Sequence, residues 1–222
     1  NNILWSNDGQ RIVFGRLVGS KGWLIYMKAA NGSGADSLVF QGPSLFAYPL
    51  SWSRDGKWLV AQVADSAGSY DLWRIPMDGQ GKPEPYQVTP VTETGASISP
   101  DGHWLAYAAQ ENGKPAIYVQ SFPQPGSKYQ VVVENGLGCK WGDKGDELLV
   151  FTSKLEIYSV PVTTTDGVQQ GTPRRLFGLP PATFLLDAER GEQRFLCGKP
   201  DDSFRGAALE VVFGWPQLLG KK

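Results

Sequence analysis

A tight glycine turn, preceded by Trp or Ile and followed by a run of branched and aromatic residues, recurs along this chain at a nearly constant interval. The first copy reads Trp5-Ser6-Asn7-Asp8-Gly9-Gln10-Arg11-Ile12-Val13-Phe14, and the second Trp52-Ser53-Arg54-Asp55-Gly56-Lys57-Trp58-Leu59-Val60-Ala61. The third is Ile98-Ser99-Pro100-Asp101-Gly102-His103-Trp104-Leu105-Ala106-Tyr107, and the fourth Trp141-Gly142-Asp143-Lys144-Gly145-Asp146-Glu147-Leu148-Leu149-Val150. A fifth, weaker copy runs from Asp187 to Leu196. The turn glycines Gly9, Gly56, Gly102, Gly145 and Gly191 lie 47, 46, 43 and 46 residues apart. Asp-Gly suits a hairpin because Gly takes positive φ freely and Asp bonds its own backbone. In the first four copies two more short apolar runs follow, such as Leu72-Trp73-Arg74-Ile75 and Tyr86-Gln87-Val88-Thr89 in the second. Four short strands in a period of about 45 residues make a β-propeller blade. A single blade has too little to bury alone and must stack on its neighbours.

The expected fold is therefore all-β: a β-propeller of about five four-stranded blades, with approximate blades 1–44, 45–92, 93–136, 137–181 and 182–222. Composition agrees. Gly (27) and Pro (16) are so dense that the longest stretch free of both is Asp146–Val160, which leaves no room for a helical bundle. Four of the five repeats put Trp or Ile at one phase, four residues before the turn Gly, and the eight Trp are expected to form the core between blades. The chain begins at the first strand of a blade, so the blades are expected to belong to a larger ring that extends upstream. A closed five-bladed ring is the competing reading.

Several functions are excluded by the same residues. Lys+Arg (21) and Asp+Glu (22) balance to a net charge of −1, which gives no electrostatic support for nucleic-acid binding. No run approaches the 18 or so apolar residues of a membrane-spanning helix. The nearest approach to a nucleophile elbow, Gly42-Pro43-Ser44-Leu45-Phe46, lacks its second glycine. The single histidine, His103, occupies a turn position that holds Gln10, Lys57, Asp146 or Glu192 in the other copies, and reads as a solvated tip. Asp143-Lys144-Gly145-Asp146-Glu147 lacks the alternating ligands of a calcium loop. No catalytic residue, metal ligand or cofactor is assigned. Cys139 and Cys197 sit at different phases of the repeat and are expected to be free or buried thiols.

The Ser99–Gly102 turn followed by Trp104-Leu105-Ala106-Tyr107 resembles the TolB-like, WD-repeat-like propeller repeat of bacteria. Between Asp71 and Phe151 the resemblance narrows. Asp71-Leu72-Trp73, Thr89-Pro90, Glu93, Tyr118-Val119-Gln120-Ser121-Phe122-Pro123, Trp141 and Gly145-Asp146-Glu147-Leu148 follow the order of the C-terminal propeller of bacterial transmembrane serine/threonine kinases and related propeller-only proteins. The tail from Arg194 to Leu219 resembles how those proteins end. That likeness implies an extracytoplasmic sensor or scaffold. The kinase itself is absent: the chain has no Gly-rich phosphate loop, His-Arg-Asp or Asp-Phe-Gly, and cannot phosphorylate by that mechanism.

Binding remains. Loops that enter successive blades would ring one mouth of the channel on a rigid scaffold. The loop entering the second blade is rich in apolar residues, and Phe46 and Tyr48 are its candidate binding residues; they would otherwise cover the blade edges. Glu93 is the candidate from the next loop. Asp71, Glu93, Glu134 and Asp187 are the carboxylates outside the turn phase that could approach a channel. The leading expectation is a non-enzymatic binding or sensor module for a protein, peptide or small ligand. The alternatives are a substrate-gating propeller of a prolyl-oligopeptidase-like peptidase and a five-bladed glycosidase-like enzyme.

Overall fold

The computed structural model describes residues 3–65, 68–111 and 113–181, with the backbone of three further strands beyond them. The first antiparallel sheet runs in the order β1 (Ile3–Trp5), β2 (Arg11–Leu17), β3 (Trp23–Ala29), β4 (Ser37–Phe40). The second comprises β5 (Ala47–Trp52), β6 (Trp58–Ala64), β7 (Tyr70–Pro76) and β8 (Glu84–Gln87). The third comprises β9 (Glu93–Ile98), β10 (Trp104–Glu111), β11 (Lys114–Ser121) and β12 (Lys128–Val131). In the fourth, β13 (Gly136–Trp141), β14 (Glu147–Thr152) and β15 (Glu156–Thr163) are followed by a two-residue strand β16 (Gln169–Gln170) on the far end of β15 and by β17 (Arg174–Gly178) alongside it. The fifth sheet is β18 (Phe184–Ala188), β19 (Phe195–Pro200) and β20 (Ala207–Val212). The fifth turn at Gly191 and the tail beyond Val212 lie outside the described residues. Among the described residues the only helical piece is one 3-10 turn, Gly19–Lys21.

The repeated turn is one hydrogen-bonded device. In the first three copies the Ser hydroxyl donates to the Asp Oδ1, at 2.5, 2.6 and 2.5 Å for Ser6–Asp8, Ser53–Asp55 and Ser99–Asp101. The same Ser oxygen accepts from the N–H five residues on, of Arg11, Trp58 and Trp104, at 2.9 Å in each case. Asp Oδ1 also accepts from the N–H two residues later. The glycines take φ of +68° to +76°, a region a side chain would strain. In the fourth copy Gly142 replaces Ser and only the backbone bonds survive, Gly145 N–H to Gly142 O and Gly142 N–H to Glu147 O.

Strand β6 reads Trp58-Leu59-Val60-Ala61-Gln62-Val63-Ala64, a nearly unbroken apolar run, because both faces of the sheet are covered. Leu59, Ala61, Val63 and Ile75 pack back on Val13, Ile25 and Phe40 of the first sheet. Val60, Leu72 and Tyr86 pack forward on Ile98, Leu105, Tyr107 and Phe122 of the third. The third sheet in turn packs through Ala106, Ile117 and Val119 on Trp141, Leu148, Val150 and Val160 of the fourth. The first strands are also stitched by side chains. Ser51 Oγ accepts from Ile98 N–H at 2.9 Å, and Ser97 Oγ from Trp141 N–H at 3.1 Å.

The Trp phase is not uniformly core. Ile98 and Trp141 are buried and Trp52 is half-buried, but Trp5 is 62% exposed, together with Ile3 and Leu38. These residues and the Phe14–Tyr26 stack lie on the face of the first sheet that faces away from the second. The expectation of a core role therefore fails at Trp5, because no described residue covers the face that a preceding blade covers elsewhere.

Trp141→Ala is expected to cost about 3–5 kcal/mol and Trp5→Ala less than about 1 kcal/mol, measured by urea unfolding. Ser97→Ala is expected to cost about 1–3 kcal/mol, because it leaves the buried Trp141 N–H without an acceptor.

Candidate functional site

Each sheet has two ends. One carries the repeated turns. There Arg54 of the second blade reaches Asp143 of the fourth at 2.5 Å, and a Cβ on Gly145 would lie 3.3 Å from Pro100 of the third. Three turn tips thus converge on this end. The other end carries the loops that enter each blade and those that join second to third strands.

At that loop end, Leu45 and Phe46 are 55% and 41% exposed, yet their backbone is pinned on both sides. Trp23 N–H donates to Leu45 O at 2.7 Å, Phe46 bridges Trp23 in parallel fashion, and Ala64 N–H donates to Phe46 O at 3.0 Å. Gly22 makes the close approach possible: at φ +80°, a Cβ there would sit 2.0 Å from Leu45 O. Leu17, also exposed, pairs with Trp23 across the β2–β3 ladder. Leu17, Leu45 and Phe46 are thus three exposed apolar residues whose backbones are tied to one another through Trp23, an apolar platform in this sense, with exposed Lys21 in the adjoining turn. Leu17 and Lys21 escaped sequence reading, because they belong to a different blade from Phe46.

Tyr48 does something else. Its ring tilts over Trp23 with centroids 5.4 Å apart, and a Cβ on Gly15 would meet it at 3.3 Å. It is half-buried at the seam of the first two blades, where burial raises its hydroxyl pKa and the neighbouring Tyr70 adds to the rise.

Glu93 lies at the start of β9 and is only 1% exposed. Thr89 donates its hydroxyl to Glu93 Oε1 and its N–H to the Asp71 carboxylate. One residue therefore brings two of the four off-phase carboxylates together at the seam of the second and third blades. Glu93 Oε2 and Asp71 Oδ1 are buried without a hydrogen-bond partner. Burial pushes the Glu93 carboxyl up to about 7; Thr89 opposes the rise and the Asp71 charge adds to it. Asp71 is also raised, by burial first and then by Asp65 in the preceding loop. Glu134 is elsewhere, exposed beside Lys154 at 3.9 Å. Asp187 falls in β18, and its side chain lies outside the described residues.

Other motif residues serve the fold. Phe122 sits edge-on to Trp58 and against Tyr86, whose hydroxyl donates to Ser121 O at 2.6 Å. Arg74 donates to Pro123 O and pairs with Glu84, both at 2.5 Å. The Ser121-Phe122-Pro123 motif is thus a plug in the second blade. His103 is exposed on its turn and donates its N–H to Asp101. Among the described residues no group of three or more potential ligands could hold a metal ion. No helix among them is long and apolar enough to cross a membrane.

Cys139 is buried and free, its thiol pushed up to about 12 by burial alone. Cys197 lies in β19, its side chain outside the described residues. With Cys197 replaced by Ser, the folded protein is expected to leave Cys139 unlabelled by a thiol reagent near neutral pH. Full labelling should follow in denaturant.

No family model matches the chain, and no curated protein matches it. Solved structures do. A TolB structure from Agrobacterium tumefaciens superposes with a TM-score of 0.61 at 20% identity, over 80% of this chain and 66% of that one. The Swd1 β-propeller domain from Myceliophteria thermophila gives 0.58 at 17% identity, over 95% of this chain and 64% of that one. A prolyl endopeptidase structure gives 0.57 at 14% identity, over 96% of this chain but 33% of that one. The chain thus spans between a third and two thirds of these chains. At such identities the likeness is one of architecture: the fold is a β-propeller of the TolB and WD-repeat kind.

Proposed function

We propose that the chain is a non-enzymatic propeller module that binds a protein or peptide at its loop end, with Leu45, Phe46 and Leu17 as the apolar anchor. The observation that carries this reading is the platform itself. Large apolar side chains are held in water by a backbone hydrogen-bonded on both sides, so little ordering cost remains when a partner covers them. Few centrally placed aromatic and aliphatic residues dominate typical protein interfaces. The comparisons with TolB and WD-repeat propellers support a binding scaffold in general terms. The resemblance between Asp71 and Phe151 supports placing the module outside the cytoplasm, as the sensor part of a bacterial signalling protein.

A second reading is favoured by the prolyl endopeptidase superposition: a propeller that restricts access to a peptidase domain. In that case the loop end would face the peptidase.

The test is selection of binding peptides from a displayed library against the 222-residue chain. Phe46→Ser is expected to weaken the selected peptides by at least about tenfold while shifting stability by less than about 1 kcal/mol. Peptides that bind both proteins equally would sink the platform reading. Turnover of a peptide or glycoside, lost on changing one carboxylate, would sink the non-enzymatic one.

A further inference from the structure

The hairpin that joins β3 to β4 carries a dipeptide that the binding platform does not use. Asn-Gly occurs three times in the chain, at Asn31-Gly32, Asn112-Gly113 and Asn135-Gly136. In such a pair the glycine nitrogen and the asparagine side-chain amide carbon are joined through three carbons. Closing a five-membered imide therefore needs no group from elsewhere, and glycine, without a Cβ, puts least in the way. Asn112 lies outside the described residues. The other two pairs sit in opposite surroundings.

Residues 31–35 are all exposed, and a Cβ on Gly32 or Gly34 would meet nothing within 4 Å. Both glycines take positive φ, +79° and +73°. The turn is held by its own groups. Gly32 N–H donates to Ala29 O at 3.0 Å. Asn31 Oδ1 accepts twice from Ser33, from its N–H at 2.9 Å and from its hydroxyl at 2.7 Å. Two donors on one carbonyl oxygen draw electrons from Cγ and stand where negative charge collects when a nucleophile adds there.

Asn135 is the contrary case. Gly136 is buried at the start of β13, in register with Thr152. A Cβ on it would lie 2.9 Å from Ile117 and 3.2 Å from Val150, so its backbone has no room to swing. Asn135 holds φ +62°, and its carbonyl accepts from Ser153 N–H at 2.9 Å. Closing an imide there means pulling the start of β13 out of its sheet.

We propose that Asn31 is a site of spontaneous backbone modification, in which the Gly32 nitrogen closes on the Asn31 side-chain amide while Ser33 holds the oxyanion. Hydroxide removes the Gly32 amide proton, and the nitrogen gives up its bond to Ala29 O and adds to Asn31 Cγ. The N–Cγ bond forms and the Cγ–Nδ2 bond breaks. Nδ2 leaves as ammonia with a proton from water, which restores the hydroxide. A second water then opens the imide. Cleavage at Cγ leaves aspartate at position 31; cleavage at the main-chain carbonyl leaves isoaspartate, with the chain one carbon longer between β3 and β4. Nothing is oxidised or reduced. Either product puts a new negative charge into the hairpin that holds Asp36, the partner of Arg16 at 2.7 Å and of Lys28 at 3.3 Å.

The test is peptide mapping of the full chain after incubation in mildly alkaline buffer, with digestion under acid conditions. The peptide that contains Asn31 is expected to gain the mass of an amide-to-acid exchange and to split into two chromatographic forms, at a rate proportional to hydroxide. In heavy-oxygen water the converted peptide is expected to carry one heavy oxygen, which separates reaction in the protein from reaction during digestion. The Asn135 peptide is expected to stay unchanged over the same time and to convert only in urea. Asn31→Gln is expected to all but abolish the change. Ser33→Ala is expected to slow Asn31 by roughly tenfold in the folded protein and to leave its rate in urea unaltered. If Asn31 converts no faster than Asn135 in the native protein, the proposal is overturned. It is overturned too if Ser33→Ala reacts as fast as the parent or faster, since Ser33 would then not be an oxyanion donor. The comparison of Asn31 with Asn135 uses the parent alone, so the test stands even where a variant folds poorly.

Discussion

Burial of both faces of a sheet is the constraint on which the rest depends. A sheet with one wet face can alternate polar and apolar residues and stand on a single layer of core. Strands β6 and β10 cannot, because each is sandwiched between neighbours. Their sequences are apolar at almost every position, and their cohesion comes from the blades on either side. Several polar groups in these seams find their hydrogen bonds across the interface, as Ser51, Ser97 and Thr94 show. Asp71 and Glu93 instead each keep one carboxyl oxygen buried without a partner.

The architecture was legible because the turn is local. Ser, Asp and Gly at fixed spacing each perform one step of the same hydrogen-bond pattern, so the pattern can be counted without knowing what lies nearby. The same locality explains what sequence reading missed. Trp5 is in phase with Trp141, but phase says nothing about whether a neighbour covers the residue. Phe46 was visible as an oddly apolar loop residue, whereas Leu17 joins it only through Trp23, in another blade. Glu93 and Asp71 were both noticed as carboxylates outside the turn. Their convergence depends on Thr89, whose two hydrogen bonds have no periodic signature. The Ser121-Phe122-Pro123 motif carried a family likeness, and its physical content is a seam between two blades.

The two ends of the propeller are built by different means. The turn end carries the repeated turns, three of them locked by their own Ser and Asp side chains, with Arg54 and Asp143 paired across it. The loop end has an exposed apolar platform held by backbone bonds at the first seam, with the buried acid pair at the second. A scaffold with one sealed end and one furnished end directs recognition to the latter without needing flexible loops.

The fourth turn gives this asymmetry a mechanical consequence. The fourth copy has Gly142 and Lys144 where the first three have the Ser and Asp of the lock, and Asp143 between them meets Arg54 two blades away. In a linear array each repeat feels only its neighbours, and energies add along the chain. A tie that skips a repeat adds a term to this sum that neighbour contacts do not contain: the exposed Arg54–Asp143 pair, worth up to about 1 kcal/mol, links the turns of the second and fourth blades directly.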